Sequence, residues 1–493
     1  MPRRRALFLA LGGGLLTTLT VPPFGWWLLA VPGIALLVEA LTGAGPRRRL
    51  AVGFMFGVGL YVPSLWWMTA FSLPGGIFVG VLEATFTGLG LLLTATFFGD
   101  SDGWRGWRLW CSVPAGLVAA DALRCLWPFG GLPLGGIDLG QAAGPFAPLV
   151  TFGGRLLLVG VVAAAGVALH AGLRGDVRSA AVVASIAVLT VLAVNLAPDG
   201  THQRGSLRIA AVQGGGPRGL RASEAASSRT YRNHATATET LREPVDLILW
   251  PEDVVDTKRL GDGSGVEAQL SAIAKAHRAT FVAGIVESGG PGEFRNAIVV
   301  WDPDGRKIDR FDKVRRVPYG EYFPGRKTIE SLGLATLPTE EAVPGNAPGI
   351  LNTPAGPLAV AVSYEGFFDD RARGGVRRGG EVLLIPTNAS SYRTAQLPTQ
   401  QIAAARLRAL ETGRWTVQAA PTGYSAIFDQ HGRQLTRTRL GARQLIVETV
   451  QRRVGLTPYA RWNDGPALVL AGVLGAAARL GGRRRNRAQA RKT

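Results

Sequence analysis

The chain has 493 residues, a formal net charge of +19 and 47% hydrophobic residues. This length exceeds that of one ordinary domain, so we expect two or three structural units. The apolar residues are concentrated in the first two hundred positions, which excludes an ordinary soluble enzyme and indicates a membrane protein. We assign the positive charge to cytoplasmic loops and tails rather than to nucleic-acid binding. The two cysteines, Cys111 and Cys125, share one apolar stretch, so neither a disulfide framework nor a zinc site is expected. We also expect no cofactor and no other metal.

Eight apolar stretches predict membrane-spanning helices, seven of them before residue 200 and one near the C-terminus. The predicted spans cover 6–21, 25–42, 51–70, 76–98, 109–127, 150–172, 179–197 and 466–480. Several are short for a hydrocarbon core of about 30 Å, so their boundaries are approximate. Within the fifth span, Asp121 and Arg124 are either substrate contacts or a structural pair inside the bundle.

Arginines occupy every second loop between these spans. Arg3 to Arg5, Arg47 to Arg49, Arg105 with Arg108, and Arg174 with Arg178 precede the first, third, fifth and seventh spans. The loops around 22–24, 71–75 and 128–149 contain no Lys or Arg. This distribution predicts a cytoplasmic N-terminus, because basic loops stay on the cytoplasmic side.

The predicted orientation divides the chain into three parts. Residues 1–200 form an N-terminal membrane domain of about seven helices, and residues 201–460 form an extracytoplasmic domain. Residues 461–493 form a C-terminal transmembrane helix and a basic cytoplasmic tail. The protein would therefore be a multi-pass protein of the cytoplasmic membrane.

After residue 205, short runs rich in β-formers alternate with helical patterns, which predicts a layered α/β domain. The predicted strands are Leu207–Val212, Asp246–Trp250, Thr280–Val286, Asn296–Trp301, Leu358–Val362, Val382–Ile385, Trp415–Ala419, Ser425–Phe428 and Leu445–Val450. The predicted helices cover about 223–242, 264–279 and 396–412. Turn sequences at 302–305 and 429–432 predict two hairpins.

Three polar clusters follow ends of these strands: Trp250-Pro251-Glu252, Asp312-Lys313 and Ser363-Tyr364-Glu365. In α/β sheets, chemistry gathers where strands end. A carboxylate, an ammonium and a nucleophile can together perform acyl transfer. The carboxylate accepts the proton of the nucleophile, and the ammonium stabilises the oxyanion. Each cluster alone is a weak signal, and the three in this order are a stronger one.

This order of motifs resembles the carbon–nitrogen hydrolase (nitrilase-type) superfamily. The resemblance rests on Trp-Pro-Glu at 250–252, Asp-Lys followed by Val-Pro-Tyr-Gly-Glu-Tyr at 312–322, and Tyr-Glu at 364–365. Together with the eight predicted spans, they narrow the resemblance to the apolipoprotein N-acyltransferase family. The resemblance covers essentially the whole chain. It implies an α/β nitrilase-like αββα sandwich carried by a multi-pass α-helical membrane bundle.

The resemblance also implies roles for individual residues. Glu252 corresponds to the general base, Lys313 to the residue that stabilises the tetrahedral intermediate, and Ser363 to the nucleophile. Glu321, Tyr364 and Glu365 match supporting or substrate-binding positions. The implied reaction moves an acyl chain from a phospholipid to the enzyme. The chain then passes to the α-amino group of the S-diacylglyceryl cysteine at a bacterial lipoprotein N-terminus.

The sequence departs from the family pattern most clearly at position 363, where the family nucleophile is cysteine and this chain has serine. A thiol with a pKa near 8.5 suits a carboxylate base, whereas a hydroxyl is far more basic. A second departure replaces the family's Asn-Asp-x-Trp-Phe loop by Asn388-Ala-Ser-Ser-Tyr392. A third is the absence of a Trp near the glycine-rich segment 214–219.

Two hypotheses follow for function. The first is an N-acyltransferase that works through an acyl-oxyester on Ser363. The alternative is a catalytically impaired homologue that binds lipid or lipoprotein in the membrane. The retained Glu252, Lys313, Glu321 and Glu365 favour a working site. A membrane-tethered amidase or nitrilase ranks last, because such an enzyme gains nothing from eight spans.

Overall fold

A computed structural model describes residues 2–98, 107–219, 227–257, 260, 265–331, 337–392 and 394–473. The chain divides into two compact units, residues 1–199 with 461–493, and residues 200–460. Arg105, the start of the predicted helix at 223–242, and the end of the predicted span at 466–480 with its basic tail lie outside the described residues. Each unit is described separately below.

The first unit is helical. Its helices are α1 (Arg3–Thr18), α2 (Ala30–Leu41), α3 (Pro46–Ser64), α4 (Leu73–Phe98), α5 (Trp107–Arg124), α6 (Ile137–Gln141), α7 (Val150–Leu173) and α8 (Val177–Leu196). Residues 465–473 are also helical. Among the described residues, three helical segments are long and apolar enough to cross a membrane: Leu73–Leu93, Ala147–Leu173 and Val177–Leu196. The total of eight spans therefore stays a prediction.

A buried ion cluster lies inside this unit. The Arg124 guanidinium donates to Asp121 Oδ1 at 2.8 Å and to Glu83 Oε2 at 3.2 Å. It also donates to the carbonyl oxygens of Leu132 and Leu134. Since Arg124 has no exposed surface, the structure favours the structural alternative for the Asp121–Arg124 pair over substrate contact.

The second unit contains two β-sheets. Its strands are β1 (Thr201–Gln213), β2 (Leu247–Leu249), β3 (Val255–Thr257), β4 (Thr280–Gly290), β5 (Glu293–Trp301), β6 (Lys307–Asp312), β7 (Glu341–Ala342), β8 (Ile350–Thr353), β9 (Gly356–Val360), β10 (Val382–Pro386), β11 (Thr416–Ala419), β12 (Ala426–Phe428), β13 (Gln434–Arg437) and β14 (Gln444–Gly455). Its helices are α9 (Ser227–Thr238), α10 (Val266–His277), α11 (Arg326–Ser331), α12 (Asp369–Arg377) and α13 (Gln396–Thr412), and α14 (Pro458–Trp462) follows at its end.

The first sheet has the strand order β14-β1-β2-β4-β5-β6, with β3 beside β4 and β7 beside β5. The second sheet has the order β13-β12-β11-β10-β9-β8. In both sheets the central pairs are parallel: β1, β2 and β4 in the first, and β9, β10 and β11 in the second. The hairpins predicted at 302–305 and 429–432 join β5 to β6 and β12 to β13, and both pairs are antiparallel.

Apolar side chains on alternate strand positions arrange these sheets in layers. One face of each sheet contributes to a shared core, in which Ile209 and Leu249 of the first sheet join Val360 and Leu384 of the second. The opposite face of the first sheet packs on α9 and α10, and that of the second packs on α12 and α13. The unit is therefore an αββα sandwich, as the sequence predicts. Strand alternation directs neighbouring residues to opposite faces, which explains how both faces are buried.

Candidate active site

The carboxylate of Glu252 and the ammonium of Lys313 form the charged centre of the candidate site. Glu252 lies beyond the end of β2, and Lys313 follows the last residue of β6. Lys313 Nζ donates to Glu252 Oε1 at 2.8 Å and to Glu321 Oε1 at 2.7 Å. Glu252 and Lys313 are only 2% and 3% exposed. Water and salt therefore screen this ion pair weakly, and its geometry is held by the surrounding protein.

Asn296 on β5 completes this centre, and the sequence analysis did not include it in the site. Its Nδ2 donates to Glu252 Oε1 at 2.9 Å and lies 3.4 Å from Glu321 Oε1. The amide therefore contacts the same two carboxylate oxygens as Lys313. The signal in the sequence was a polar residue at the start of the apolar predicted strand Asn296–Trp301.

The electrostatics of the centre separate the acid–base roles of its groups. Burial raises the pKa of Glu252, and the neighbouring charge of Lys313 only partly opposes this effect. Burial lowers the pKa of Lys313, but the carboxylates of Glu252 and Glu321 raise it more, so that the net pKa lies above the ordinary value. Lys313 is therefore a permanent cation, and Glu252 is the group suited to accept and return a proton.

Ser363 lies on a sharp turn directly beyond β9. The strand ends at Val360, and a 3-10 helix begins at Ser363 and runs to Phe367. The backbone of Ser363 has a φ of 53°, in the left-handed region that non-glycine residues seldom adopt. Such strain is kept where the fold over-determines it, and it commonly marks a functional residue. The side chain of Ser363 is close enough to the Glu252 carboxylate to lower the pKa of that carboxyl, against the larger effect of burial.

Glu365 holds this turn against the segment that carries Lys313. Its Oε1 accepts hydrogen bonds from the backbone N–H groups of Val314 at 2.9 Å and Arg315 at 3.0 Å. Its Oε2 accepts from the N–H of Val362 at 2.9 Å, and Arg371 Nε lies 3.3 Å from Oε1. Because Glu365 is fully buried, these donors depend on its carboxylate. Glu365 thus links the turn at Ser363 to the segment that follows Lys313.

Replacing Glu365 by Gln is expected to lower the free energy of unfolding by about 1–3 kcal/mol, because an amide nitrogen cannot accept the N–H groups that one carboxylate oxygen accepts. Thermal unfolding of the purified protein measures this effect. Asp370→Asn is the matched control, since Asp370 forms one ion pair with Arg315 and is 42% exposed in its side chain. Equal destabilisation by both substitutions would contradict the role of Glu365.

Two further contacts support the turn. The ring of Tyr364 packs edge-on against that of Phe368, with centroids 4.9 Å apart. Arg408 on α13 donates to the carbonyl oxygen of Phe367 at 2.9 Å and forms a buried ion pair with Glu411. Tyr364 therefore contributes packing within the turn.

A second acid, Asp253, follows Glu252 directly and was also missed by the sequence analysis. Its backbone has a φ of 54°. Its Oδ2 accepts from Asn388 Nδ2 at 3.1 Å, whereas its buried Oδ1 has no hydrogen-bond partner among the described residues. Burial, and then the charge of Glu252, raise the pKa of Asp253 from 3.8 to about 8. Asp253 is therefore protonated at neutral pH and adds no second negative charge beside Glu252.

This raised pKa predicts a pH-dependent effect of Asp253→Asn. A carboxyl whose folded-state pKa lies above its unfolded value destabilises the fold progressively as the pH rises from about 4 to about 8. Asparagine has no such ionisation. We therefore expect the melting temperature of Asp253→Asn to rise relative to that of the wild type as the pH increases from 5 to 8.5. Asp256→Asn, at an exposed position three residues away, is the control. A difference independent of pH would contradict the assignment.

Comparisons with known proteins cover both units. Residues 13–168 match the family model of the apolipoprotein N-acyltransferase N-terminal domain, and residues 208–459 match that of the carbon–nitrogen hydrolases. The apolipoprotein N-acyltransferase of Mycolicibacterium smegmatis is 30% identical, over 96% of this chain and 85% of that protein. Those of Methylococcus capsulatus and Azotobacter vinelandii are each 30% identical, over 96% and 94% of this chain and 95% and 93% of their own lengths.

Solved structures similar to the chain include Saccharomyces cerevisiae Nit3, with 18% identity and a TM-score of 0.39 over 50% of this chain and 91% of that one. An amidase from Nesterenkonia sp. has 20% identity and a TM-score of 0.36, over 54% of this chain and 95% of that one. The identity to the three bacterial relatives over nearly the full length, together with the two family models, is decisive for the family. The chain belongs to the apolipoprotein N-acyltransferase family of the carbon–nitrogen hydrolases.

Proposed function

We propose that this protein is an apolipoprotein N-acyltransferase that uses Ser363 as its nucleophile. The acyl donor is a membrane phospholipid, and the acceptor is the α-amino group of the S-diacylglyceryl cysteine of a lipoprotein. The observation that carries the proposal is the convergence of Ser363, Glu252 and Lys313 in one buried centre, in a chain whose relatives bear this enzyme's name. An impaired binding protein would not need the buried ion pair, which is costly to keep.

The first half-reaction acylates Ser363. Glu252 accepts the proton of the Ser363 hydroxyl while the oxygen attacks the ester carbonyl of the phospholipid. The ammonium of Lys313 stabilises the negative charge that develops on the carbonyl oxygen. When the tetrahedral intermediate collapses, Glu252 returns the proton to the departing glyceryl oxygen. The products are an acyl ester on Ser363 and a lysophospholipid.

The second half-reaction transfers the acyl chain to the acceptor. The neutral α-amine attacks the acyl ester, and Glu252 accepts the proton that the amine loses. Glu252 then gives this proton to the Ser363 oxygen as the C–O bond breaks, which restores the hydroxyl and releases an amide. The raised pKa of Glu252 makes it a stronger base for both steps. Glu321 keeps Lys313 charged and directed at Glu252 throughout.

We further propose that residues 1–200 form the N-terminal membrane domain, residues 201–460 the extracytoplasmic domain, and residues 461–493 the last span and cytoplasmic tail. The alternation of basic and uncharged loops supports eight spans with this orientation. A membrane location suits the proposed reaction, because the donor and the lipidated acceptor both reside in the bilayer. The chemistry needs no cofactor.

A cysteine at position 304 tests this orientation. Asp304 lies at an exposed hairpin of the second unit, and Arg47 is exposed in the first turn of α3 in the first unit. We expect a membrane-impermeant maleimide to label Asp304→Cys in intact spheroplasts and to label Arg47→Cys only after the membrane is permeabilised. Labelling of Arg47→Cys in intact spheroplasts would contradict the proposed orientation.

Mass spectrometry of a lipoprotein tests the activity. Wild type and Ser363→Ala are expressed in bacterial cells depleted of their own N-acyltransferase, and the N-terminal peptide of one lipoprotein is weighed. We expect the wild type to add one acyl chain and Ser363→Ala to leave the amine free. A free amine in cells with the well-expressed wild type would refute the proposed function. Acylation by Ser363→Ala would refute the nucleophile.

A further inference from the structure

A buried threonine, Thr387, contacts the candidate nucleophile from the neighbouring strand. Thr387 follows β10, which lies beside β9 in the second sheet. Its Oγ1 lies 3.4 Å from Ser363 Oγ, and the threonine has no exposed surface. Gln401 Nε2 on α13 also donates to Thr387 Oγ1 at 2.7 Å. The serine hydroxyl thus has both Thr387 and Glu252 as polar neighbours.

The hydrogen-bond partners determine which group donates and which accepts along this series of side chains. A hydroxyl group has one proton and two lone pairs. Because the Gln401 amide donates to Thr387, the threonine proton is free to point at Ser363 Oγ. The proton of Ser363 then points at the Glu252 carboxylate, which can only accept. The chain of donors therefore runs from Gln401 through Thr387 and Ser363 to Glu252.

We propose that Thr387 is a catalytic residue that activates Ser363, and that Gln401 is the residue that positions it. The inference rests on the proposed function of Ser363. As Glu252 takes the serine proton, negative charge builds on Oγ, and the Thr387 hydroxyl donates a hydrogen bond to that charge while keeping its own proton. A donor aimed at a developing oxyanion acts most strongly in a buried site. The 3.4 Å contact is long for two hydroxyl groups, and such contacts tighten as charge develops.

A hydrogen bond from Thr387 explains how a serine can act as nucleophile in a site whose base is a carboxylate and whose cation is an ammonium. A hydroxyl oxygen is a strong acceptor, whereas a sulfur is a weak one. A donor at position 387 therefore helps a serine much more than it would help a cysteine. The competing explanation is that Thr387 only fills the core and satisfies Gln401. That explanation predicts the same effect of Thr387 whichever nucleophile is present.

Hydrogen bonds and packing within the protein hold Thr387 in place. The N–H of Thr387 donates to the carbonyl oxygen of Ala419 on β11 at 2.8 Å. The next residue, Asn388, is tied to Asp253 beside the base. Gln401 is 5% exposed, so packing holds its amide against the threonine. The donor is therefore preorganised before substrate binds, which is the condition for it to lower the barrier.

The test compares Thr387→Val and Thr387→Ser in the wild-type and Ser363→Cys backgrounds. The full-length protein in detergent is mixed with phosphatidylethanolamine–phosphatidylglycerol micelles, and the rate of acyl-enzyme formation is followed by intact-protein mass spectrometry. We expect Thr387→Val to lower the rate by about 10²-fold with serine and by less than about threefold with cysteine. Thr387→Ser should stay within about threefold of the wild type, and Gln401→Met should lower the serine rate in the same direction.

Each other outcome has a definite meaning. An equal loss with both nucleophiles, or no loss with serine, overturns the role of Thr387 while the proposed function stands. A wild type that forms no acyl-enzyme, next to an active Ser363→Cys, overturns the proposed function and the inference together. If Ser363→Cys is inactive, the inference is tested in the serine enzyme alone. There, a loss of acyl-enzyme formation in both Thr387→Val and Thr387→Ser overturns it. Melting temperatures identify any variant that has lost its fold, and Thr387→Ala then replaces valine.

Discussion

The rate of acyl-enzyme formation is expected to fall by about 10²- to 10⁴-fold when Glu252 is replaced by Gln. The amide keeps the shape of the side chain but cannot take the Ser363 proton. Lys313 would keep one carboxylate partner, Glu321, so the variant should remain folded. Intact-protein mass spectrometry of the enzyme mixed with phospholipid measures the effect as the rate at which one acyl mass appears.

Glu243→Gln is the matched control for this prediction. Glu243 is an exposed acid of the same unit, and its carboxylate pairs with the exposed Arg208. We expect this substitution to leave the rate unchanged. A loss of less than tenfold in Glu252→Gln would mean that another group accepts the serine proton, with Glu321 as the nearest remaining carboxylate of the centre.

Lys313→Met is expected to lower the rate by about 10²- to 10³-fold, because it removes the charge that stabilises the oxyanion. It also leaves the carboxylates of Glu252 and Glu321 close together without a cation. One of them then holds a proton, since two buried like charges disfavour ionisation. A raised folded-state pKa favours the fold at low pH and costs stability as the pH rises. The melting temperature should therefore fall further below that of the wild type at pH 8 than at pH 5.

Lys307→Met serves as the control for Lys313→Met. Lys307 lies six residues earlier on β6, pairs with Glu267 at 3.1 Å and is 41% exposed in its side chain. Such exposed pairs contribute little to stability. We expect a normal rate and a pH-independent melting difference for Lys307→Met. A Lys313→Met enzyme that kept most of its rate would remove Lys313 from the chemistry and leave it a structural role only.

The strands that the sequence did not predict lie at the edges of the sheets or beside the main strand order. Each of the nine predicted strands overlaps an observed one, because buried strands of a sandwich are recognisable as short runs of β-branched and apolar residues. The missed strands β6, β8 and β13 lie at sheet edges, and β3 and β7 pair beside the main order. Charged residues such as those of Lys307–Asp312 are typical of edges, where one side of the strand has no neighbour. Their sequence pattern therefore does not predict a strand.

The residues of the site also fall into those that the sequence predicted and those whose contacts follow only from the fold. Glu252, Lys313 and Ser363 could be proposed from the sequence because each follows a predicted strand or begins a polar segment, and because their order resembles a known family. Glu365 was placed near the site for the same reason, but its hydrogen bonds to the segment after Lys313 follow only from the fold. The eight spans and their orientation remain predictions, and the maleimide experiment tests the orientation.

Periodicity and strand ends are local properties of a chain, so the layered α/β unit, the apolar helical unit and the candidate catalytic residues could be predicted without a structure. Which of these strand ends meet follows from the packing of the sheets. Asn296 of β5 reaches the charged centre because only β4 separates β5 from β2, and Thr387 reaches Ser363 because β9 and β10 are neighbours. Hydrogen bonds between residues tens of positions apart have no signature in either segment alone. They become geometrically defined when the sheets pack and exclude water, and that burial also raises the pKa values of Glu252 and Asp253.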